Sequence, residues 1–224
     1  MKIDTVETLA IPDLKVIRFG RYTDERGYFT ESYRLGDLIH HPETSFLREV
    51  RFLQINESFS RAGVVRGLHF QWSPHMGKLV RVVRGRVVDL ALDIRLGSPT
   101  LGGIVARDIS EDPEADHGEW IWVPPGFAHG FFCTTDCVLE YLCDGEYSPG
   151  NQAGISPLAP DLDWSLCDSG LKRAFDEVAA GRVAAGEVAA GEVAAGEAIM
   201  SEKDRDALSL KGWLADKRSA HFQY

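Results

Sequence analysis

"KLVRVVRGRVVDLALDIRL", Lys78 to Leu96, is a pair of β-branched runs broken at Arg84-Gly85. After the break, Val88, Leu90, Leu92 and Ile94 alternate with Val87, Asp89, Ala91 and Asp93. A period of two places the first set on one face of a strand, buried in apolar packing, and turns the second set toward something polar. Runs of the same kind extend from Leu14 to about Leu142, among them "GEWIWVPPGFAHGFFC" (Gly118–Cys133) and "CVLEYLC" (Cys137–Cys143). Many short strands separated by Gly, Pro and Asp, with no helical periodicity between them, predict an all-β sandwich or barrel rather than a doubly wound sheet.

The composition changes after Pro160. "EVAAGRVAAGEVAAGEVAAGE", Glu177 to Glu197, repeats every five residues, a period that fits neither a helix nor a strand. Alanine and glutamate favour helix, but each interior glycine costs about 1 kcal/mol relative to alanine. With no aromatic, His or Cys the segment cannot build a core, so it is expected to be a flexible or fraying helical insert without chemistry. "MSEKDRDALSLKGWL", Met200 to Leu214, follows as a short helix capped by Ser201. The chain therefore divides into a β domain over residues 1–170, a repeat insert over 171–198 and a C-terminal helical segment over 199–224.

The formal net charge of −10 argues against a nucleic acid as general partner, since phosphate neutralisation needs a basic face. A small phosphorylated ligand held by a local arginine and lysine cluster stays compatible with it. The start, "MKIDTVETLAIPDLK", lacks the apolar run of a signal peptide, and no stretch approaches the roughly 20 apolar residues of a membrane span. A cytoplasmic location is expected, and Cys133, Cys137, Cys143 and Cys167, without a Cys-x-x-Cys pair, read as reduced thiols.

Of the seven histidines, His69, His75 and His129 stand near strand ends or loops, whereas His40, His41, His117 and His221 lie in polar or terminal contexts. "GVVRGLHFQ", Gly63 to Gln71, and "PPGFAHGF", Pro124 to Phe131, have the spacing of the two cupin motifs. In a metal-binding cupin His69 would be followed by a second histidine and a glutamate. Gln71 occupies the second position and no glutamate follows, and an amide is a poor substitute for imidazole toward zinc or iron. Arg26, Arg66, Lys78 and Arg81 are the other notable groups, cations suited to a diphosphate or a developing oxyanion. A histidine near neutral pKa, a lysine and a phenol suffice to move a proton on carbon beside a ketone without a metal.

The stretches "DERGYFTESY" (Asp24–Tyr33), "FLQINESFS" (Phe52–Ser60), "VVRGLHFQ" (Val64–Gln71), "GKLVRVVRGRVVDLALDIRLGSPTLG" (Gly77–Gly102), "WVPPGFAHGF" (Trp122–Phe131) and "SEKD" (Ser201–Asp204) resemble, in order, those of the dTDP-4-dehydrorhamnose 3,5-epimerase family. The resemblance implies a cupin, or jelly-roll, fold with short C-terminal helices. It implies a metal-free, cofactor-free isomerase acting on a nucleoside-diphosphate 4-keto-6-deoxy sugar, at C3 and C5 or at one of the two carbons. By the family's pattern His69 is the general base, Asp204 its partner, Lys78 the enolate-stabilising cation and Tyr141 the proton donor on the opposite face. Asp204 also fits a helix capping box with Ser201, so both readings stand at this point. Tyr22, Arg26, Glu31, Gln54, Asn56, Arg66, His129 and Tyr147 fall at positions that bind the nucleotide or line the sugar pocket. Family members are homodimers that exchange strands, so some of these residues would serve the partner's site. Departures cluster in "FQWSPHMG", at Leu142-Cys143-Asp144 and at Glu146, around the acid and the nucleotide end.

Overall fold

The computed structural model describes residues 1–182 and 198–224. Strands β1 (Ile3–Thr8), β2 (Lys15–Gly20), β3 (Tyr22–Asp24) and β4 (Gly27–Phe29) precede helix α1 (Leu35–His40). Then come β5 (Gln54–Ser60), β6 (Val65–Gln71), β7 (Lys78–Arg84), β8 (Arg86–Asp93), β9 (Ile104–Ser110), β10 (His117–Val123), β11 (Phe127–Phe132), β12 (Cys137–Cys143) and β13 (Gln152–Gly154). Helices α2 (Ser169–Ala179), α3 (Glu202–Arg205) and α4 (Leu210–Leu214) close the chain. Two antiparallel sheets face each other, one ordered β1-β2-β10-β7-β12-β5 and the other β13-β6-β11-β8-β9, while β3 and β4 pair only with one another. The expected jelly-roll sandwich is the observed architecture.

Gly85 turns the chain from β7 in the first sheet to β8 in the second at φ +83°, and a Cβ there would stand 2.2 Å from Asp136 O. The next strand departs from the two-faced pattern expected of it, because β8 is buried on both faces. Val88, Leu90, Leu92 and Ile94 pack outward against Phe175, Val178, Leu210, Trp213 and Phe222 of the C-terminal elements. Val87 and Ala91 point inward with Val80, Val82, Phe131 and Leu139 into the layer between the sheets. A third cluster, with Ile17, Leu79, Trp120 and Trp122, covers the outer face of the first sheet beneath α1.

The start of the expected insert is likewise ordered. Asp168 caps α2 by accepting from Gly170 and Leu171 N–H, and Phe175 and Val178 are buried against the second sheet. Gly181, at φ +67°, follows the helix as an αL terminator. Two apolar side chains one turn apart anchor this helix, which the five-residue period alone conceals. The remainder of the repeat, 183–197, lies outside the described residues. No described helix is long and apolar enough to cross a membrane.

Candidate active site

Strand β6 delivers His69 to the gap between the sheets. The register sets His69 beside His129 of β11 and, on its other side, beside Gly154 of β13. Close approach of β6 and β11 depends on two glycines, since a Cβ on Gly67 (φ +119°) would meet Gly130 Cα at 2.6 Å. A Cβ on Gly154 would come within 3.3 Å of His69 Cδ2, so the imidazole is packed closely against β13.

His69 Nε2 lies 2.6 Å from Asp204 Oδ1, with the imidazole about one-third exposed (35%) and the carboxylate nearly buried (7%). Asp204 Oδ2 accepts from Gly67 N–H at 3.3 Å, while Asp204 N–H donates to Ser201 Oγ at 3.1 Å. Both sequence readings of Asp204 are therefore true of different atoms. Its backbone belongs to the cap of α3, and its carboxylate is directed at the histidine. Burial opposes ionisation of Asp204, but the His69 hydrogen bond and charge and the Gly67 N–H outweigh it and hold the carboxyl below its ordinary value. A carboxylate on Nε2 fixes the proton there and leaves the imidazole lone pair on Nδ1, an assignment made from the hydrogen-bond pattern.

The opposite wall comes from the first sheet. Tyr141 of β12 and Lys78 of β7 line the same two cavities as His69, one of about 190 Å³ and one of about 210 Å³. The first is completed by Ser58, Arg66, His129 and Asp204, the second by Gln54, Asn56, Met76, Tyr147 and Gln152. Desolvation pushes the Lys78 ammonium below the ordinary lysine value, against the pull of Cys143 and Asp89. Among the described residues the Lys78 ammonium has no hydrogen bond or ion pair. Burial, followed by the neighbouring Cys143, pushes the Tyr141 phenol up, so it stays protonated through the neutral range. His129 is held by a second carboxylate, with Nε2 2.7 Å from Asp89 Oδ2, and is 7% exposed.

Arg66 donates from Nε to Ser60 Oγ at 2.8 Å and from Nη2 to Phe59 O at 3.1 Å, leaving Nη1 without a partner among the described residues. Gln54 accepts from Tyr147 N–H at 2.9 Å and donates to Asn56 Oδ1 at 2.9 Å, which knits the far wall. Gln71, the residue at the vacated second-histidine position, donates to Pro74 O and Glu146 O at 2.9 Å each and accepts from Ser148 N–H at 2.7 Å. Its amide ties the Trp72–Gly77 loop to the segment carrying Tyr147.

Tyr22, Arg26 and Glu31 do not reach these cavities within one chain. Tyr22 and Arg26 sit on the self-paired β3–β4 hairpin, where Arg26 is 84% exposed and bonded to Asp24, and Glu31 pairs with Arg34. The hairpin makes no ladder with either large sheet, which removes it from the gap between them. Conversely, Ser58, Asp89 and Gln152 line or orient the site without having been proposed as site residues from sequence, while Met76 belongs to the divergent FQWSPHMG stretch. The signal for Ser58 was the polar alternation Gln54, Asn56, Ser58, Ser60 along β5.

The family model for dTDP-4-dehydrorhamnose 3,5-epimerase matches residues 8–212. A dTDP-4-dehydrorhamnose 3,5-epimerase of Methanothermobacter thermautotrophicus is 42% identical over 151 residues, covering 65% of this chain and 75% of that protein. Its counterpart in Pseudomonas aeruginosa is 38% identical over 169 residues, covering 73% and 87%. Among solved structures, a dTDP-6-deoxy-D-glucose-3,5-epimerase from Legionella pneumophila, in complex with dTDP-4-keto-L-rhamnose, superposes with a TM-score of 0.73 at 33% identity over 98% of each chain. Family model, curated relatives and fold thus agree over most of the chain, and the chain belongs to the dTDP-4-dehydrorhamnose 3,5-epimerase family.

Proposed function

We propose that this chain epimerises a dTDP-linked 4-keto-6-deoxy sugar at C3 and C5 by proton abstraction and reprotonation beside the C4 ketone. The observation that carries the mechanism is the opposition of the His69–Asp204 pair on one wall to Tyr141 and the Lys78 ammonium, from neighbouring strands, on the other. The ketone acidifies the adjacent C–H bonds. His69 Nδ1 takes the proton, and the C–H electron pair moves into the enolate. The imidazolium is stabilised by Asp204, as in other histidine–carboxylate pairs. Lys78 faces the developing charge on O4, and its desolvated ammonium is worth more there than it would be in water. Tyr141 then donates its proton from the opposite face, which inverts the carbon. Solvent resets the phenolate and the imidazolium, and the same groups act on the second carbon.

Arg66 is suited to the diphosphate, with His129 beside the sugar, and Gln54, Asn56 and Tyr147 line the nucleotide end. Tyr22, Arg26 and Glu31 complete that end from the partner of a strand-exchanging homodimer. Strand β5 supports this assembly, because it is the free edge of its sheet and Leu53, Ile55 and Phe59 are exposed along it. Four free cysteines suit a cytoplasmic enzyme.

Proton NMR of the 4-keto substrate in deuterated water tests the reading directly. His69→Ala is expected to abolish deuterium entry at both C3 and C5, and Tyr141→Phe to retain part of the exchange while losing inversion. Normal exchange by the His69 variant would refute the mechanism, and exchange at one carbon by the wild type would reduce the activity to a single centre.

A further inference from the structure

Among the described residues, one buried hydroxyl in the cavity walls lacks a partner. Ser58 Oγ is buried and makes no hydrogen bond, although it lines the cavity shared by Arg66, His69, Lys78, His129 and Tyr141. Leaving a buried hydroxyl unsatisfied costs on the order of 1–3 kcal/mol, so such a group in a folded protein calls for an explanation. Its neighbours on β5 do not share the condition, since Gln54 and Asn56 bond each other and Ser60 receives Arg66.

We propose that Ser58 binds the C2 hydroxyl of the sugar and makes the enzyme selective for 2-hydroxy over 2-deoxy substrates. The inference rests on the epimerase reading and follows from matching donors and acceptors around the ring. O4 is served by Lys78. The C3 and C5 substituents change faces during the reaction, so a fixed partner cannot hold them in both configurations. C1 carries the diphosphate, an acceptor suited to the free Nη1 of Arg66. That leaves C2, the ring carbon between the phosphate-bearing and reacting positions, whose hydroxyl stays in place throughout. A serine hydroxyl both donates and accepts, as an alcohol partner requires, whereas the nearby cations only donate. Ser58 lies across the ladder from Leu139 and in the same cavity as Arg66, the C1 end in this arrangement.

The test compares kcat/KM for dTDP-4-keto-6-deoxyglucose and for its 2-deoxy analogue, in the wild type and in Ser58→Ala. The wild type is expected to favour the 2-hydroxy substrate by about tenfold, the yield of one neutral hydrogen bond together with an orphaned hydroxyl when it is missing. Ser58→Ala should contract that ratio toward unity. If Ser58 served only the packing of β5, both substrates would fall together and the ratio would stand, which overturns the inference while leaving the epimerase intact. Failure of the wild type to turn over either substrate overturns the epimerase reading and this inference with it.

Discussion

Asp204→Asn isolates the contribution of the carboxylate with little change in volume. The asparagine has two orientations, and neither reproduces the aspartate. If its oxygen accepts from His69 Nε2, its NH2 group confronts Gly67 N–H, which Asp204 Oδ2 accepts at 3.3 Å, and two donors face each other. If the amide is reversed, NH2 donates to Nε2, and the imidazole proton moves to Nδ1. The nitrogen that should take the substrate proton then carries one already. Loss of a single charge-assisted bond, about 1.5–3 kcal/mol, corresponds to roughly 10- to 150-fold in rate. The wrong tautomer in a fully buried pair costs about 10⁴-fold. His69 is partly open to solvent at 35%, which moderates the second figure. The expected loss in kcat is therefore about 10²- to 10³-fold, read as the rate of deuterium entry at C3 and C5 by NMR. Exchange within about threefold of wild type would refute the pairing as catalytic and return Asp204 to its role as a helix-cap residue. Stability gives a second readout. The depressed Asp204 pKa contributes stability that is present above the ordinary aspartate value and lost as pH falls through the lower folded value, so wild type should lose an acid-range increment that Asp204→Asn lacks.

Two further substitutions test the opposite wall and the loop. Lys78→Met should lower kcat by about 10²- to 10³-fold with a smaller change in KM, because the ammonium is directed at charge that develops in the transition state. In the wild type the alkaline limb of kcat should fall below the ordinary lysine value, since burial lowers the Lys78 pKa and the required ammonium is lost as pH rises; a limb at or above that value would contradict the desolvated placement. Gln71→Leu removes three part-buried hydrogen bonds, to Pro74 O, Glu146 O and Ser148 N–H, and urea unfolding should register about 1–3 kcal/mol of destabilisation, with a raised KM as the Trp72–Gly77 loop loosens. An unchanged midpoint and an unchanged KM would show that the amide does not hold the loop.

Much of this fold was legible because its determinants are local. Alternation along Lys78–Leu96 defined strands, the Gly-Pro punctuation separated them, and the RGLH and PPGFAH stretches marked the two strands that carry His69 and His129. The reading of β8 missed only that its polar side is buried as well. Asp89 and Asp93 were read on a face turned toward something polar, and both have polar partners: Asp89 turns inward to His129, while Asp93 is enclosed by Arg95, Ser98 and Thr100. The partners of Asp93 follow it within seven residues, whereas Asp89 is satisfied by a group that only the fold brings to it. The same applies to Asp204, separated by 135 residues from the histidine it meets. Its helix-cap signal is short-range and visible, and its contact with His69 is neither. Helix α2 ends where the repeat begins, and what the reading of the insert as a fraying helix left out is the burial of Phe175 and Val178, which have helical spacing.

Strand β5 shows how site and assembly can be encoded in one alternation. A strand on a packed core normally turns its apolar residues inward, yet here Gln54, Asn56, Ser58 and Ser60 face the gap between the sheets, while Leu53, Ile55 and Phe59 are exposed. Reversing the usual pattern is favourable only if the inner face lines a cavity whose polar groups find partners and the outer face is covered by other apolar surface. The inner condition is met at Gln54, Asn56 and Ser60 and left open at Ser58, where substrate supplies the partner. The outer condition is left open along the whole edge, where a second copy would supply it. A pocket that requires Tyr22, Arg26 and Glu31 from a partner would then be complete only when that edge is covered, so substitution of Ile55 by a charged residue should weaken both dimerisation and nucleotide binding. Measured by sedimentation and by titration with dTDP, loss of the dimer with undiminished dTDP affinity would separate the two and place all the nucleotide contacts within one chain.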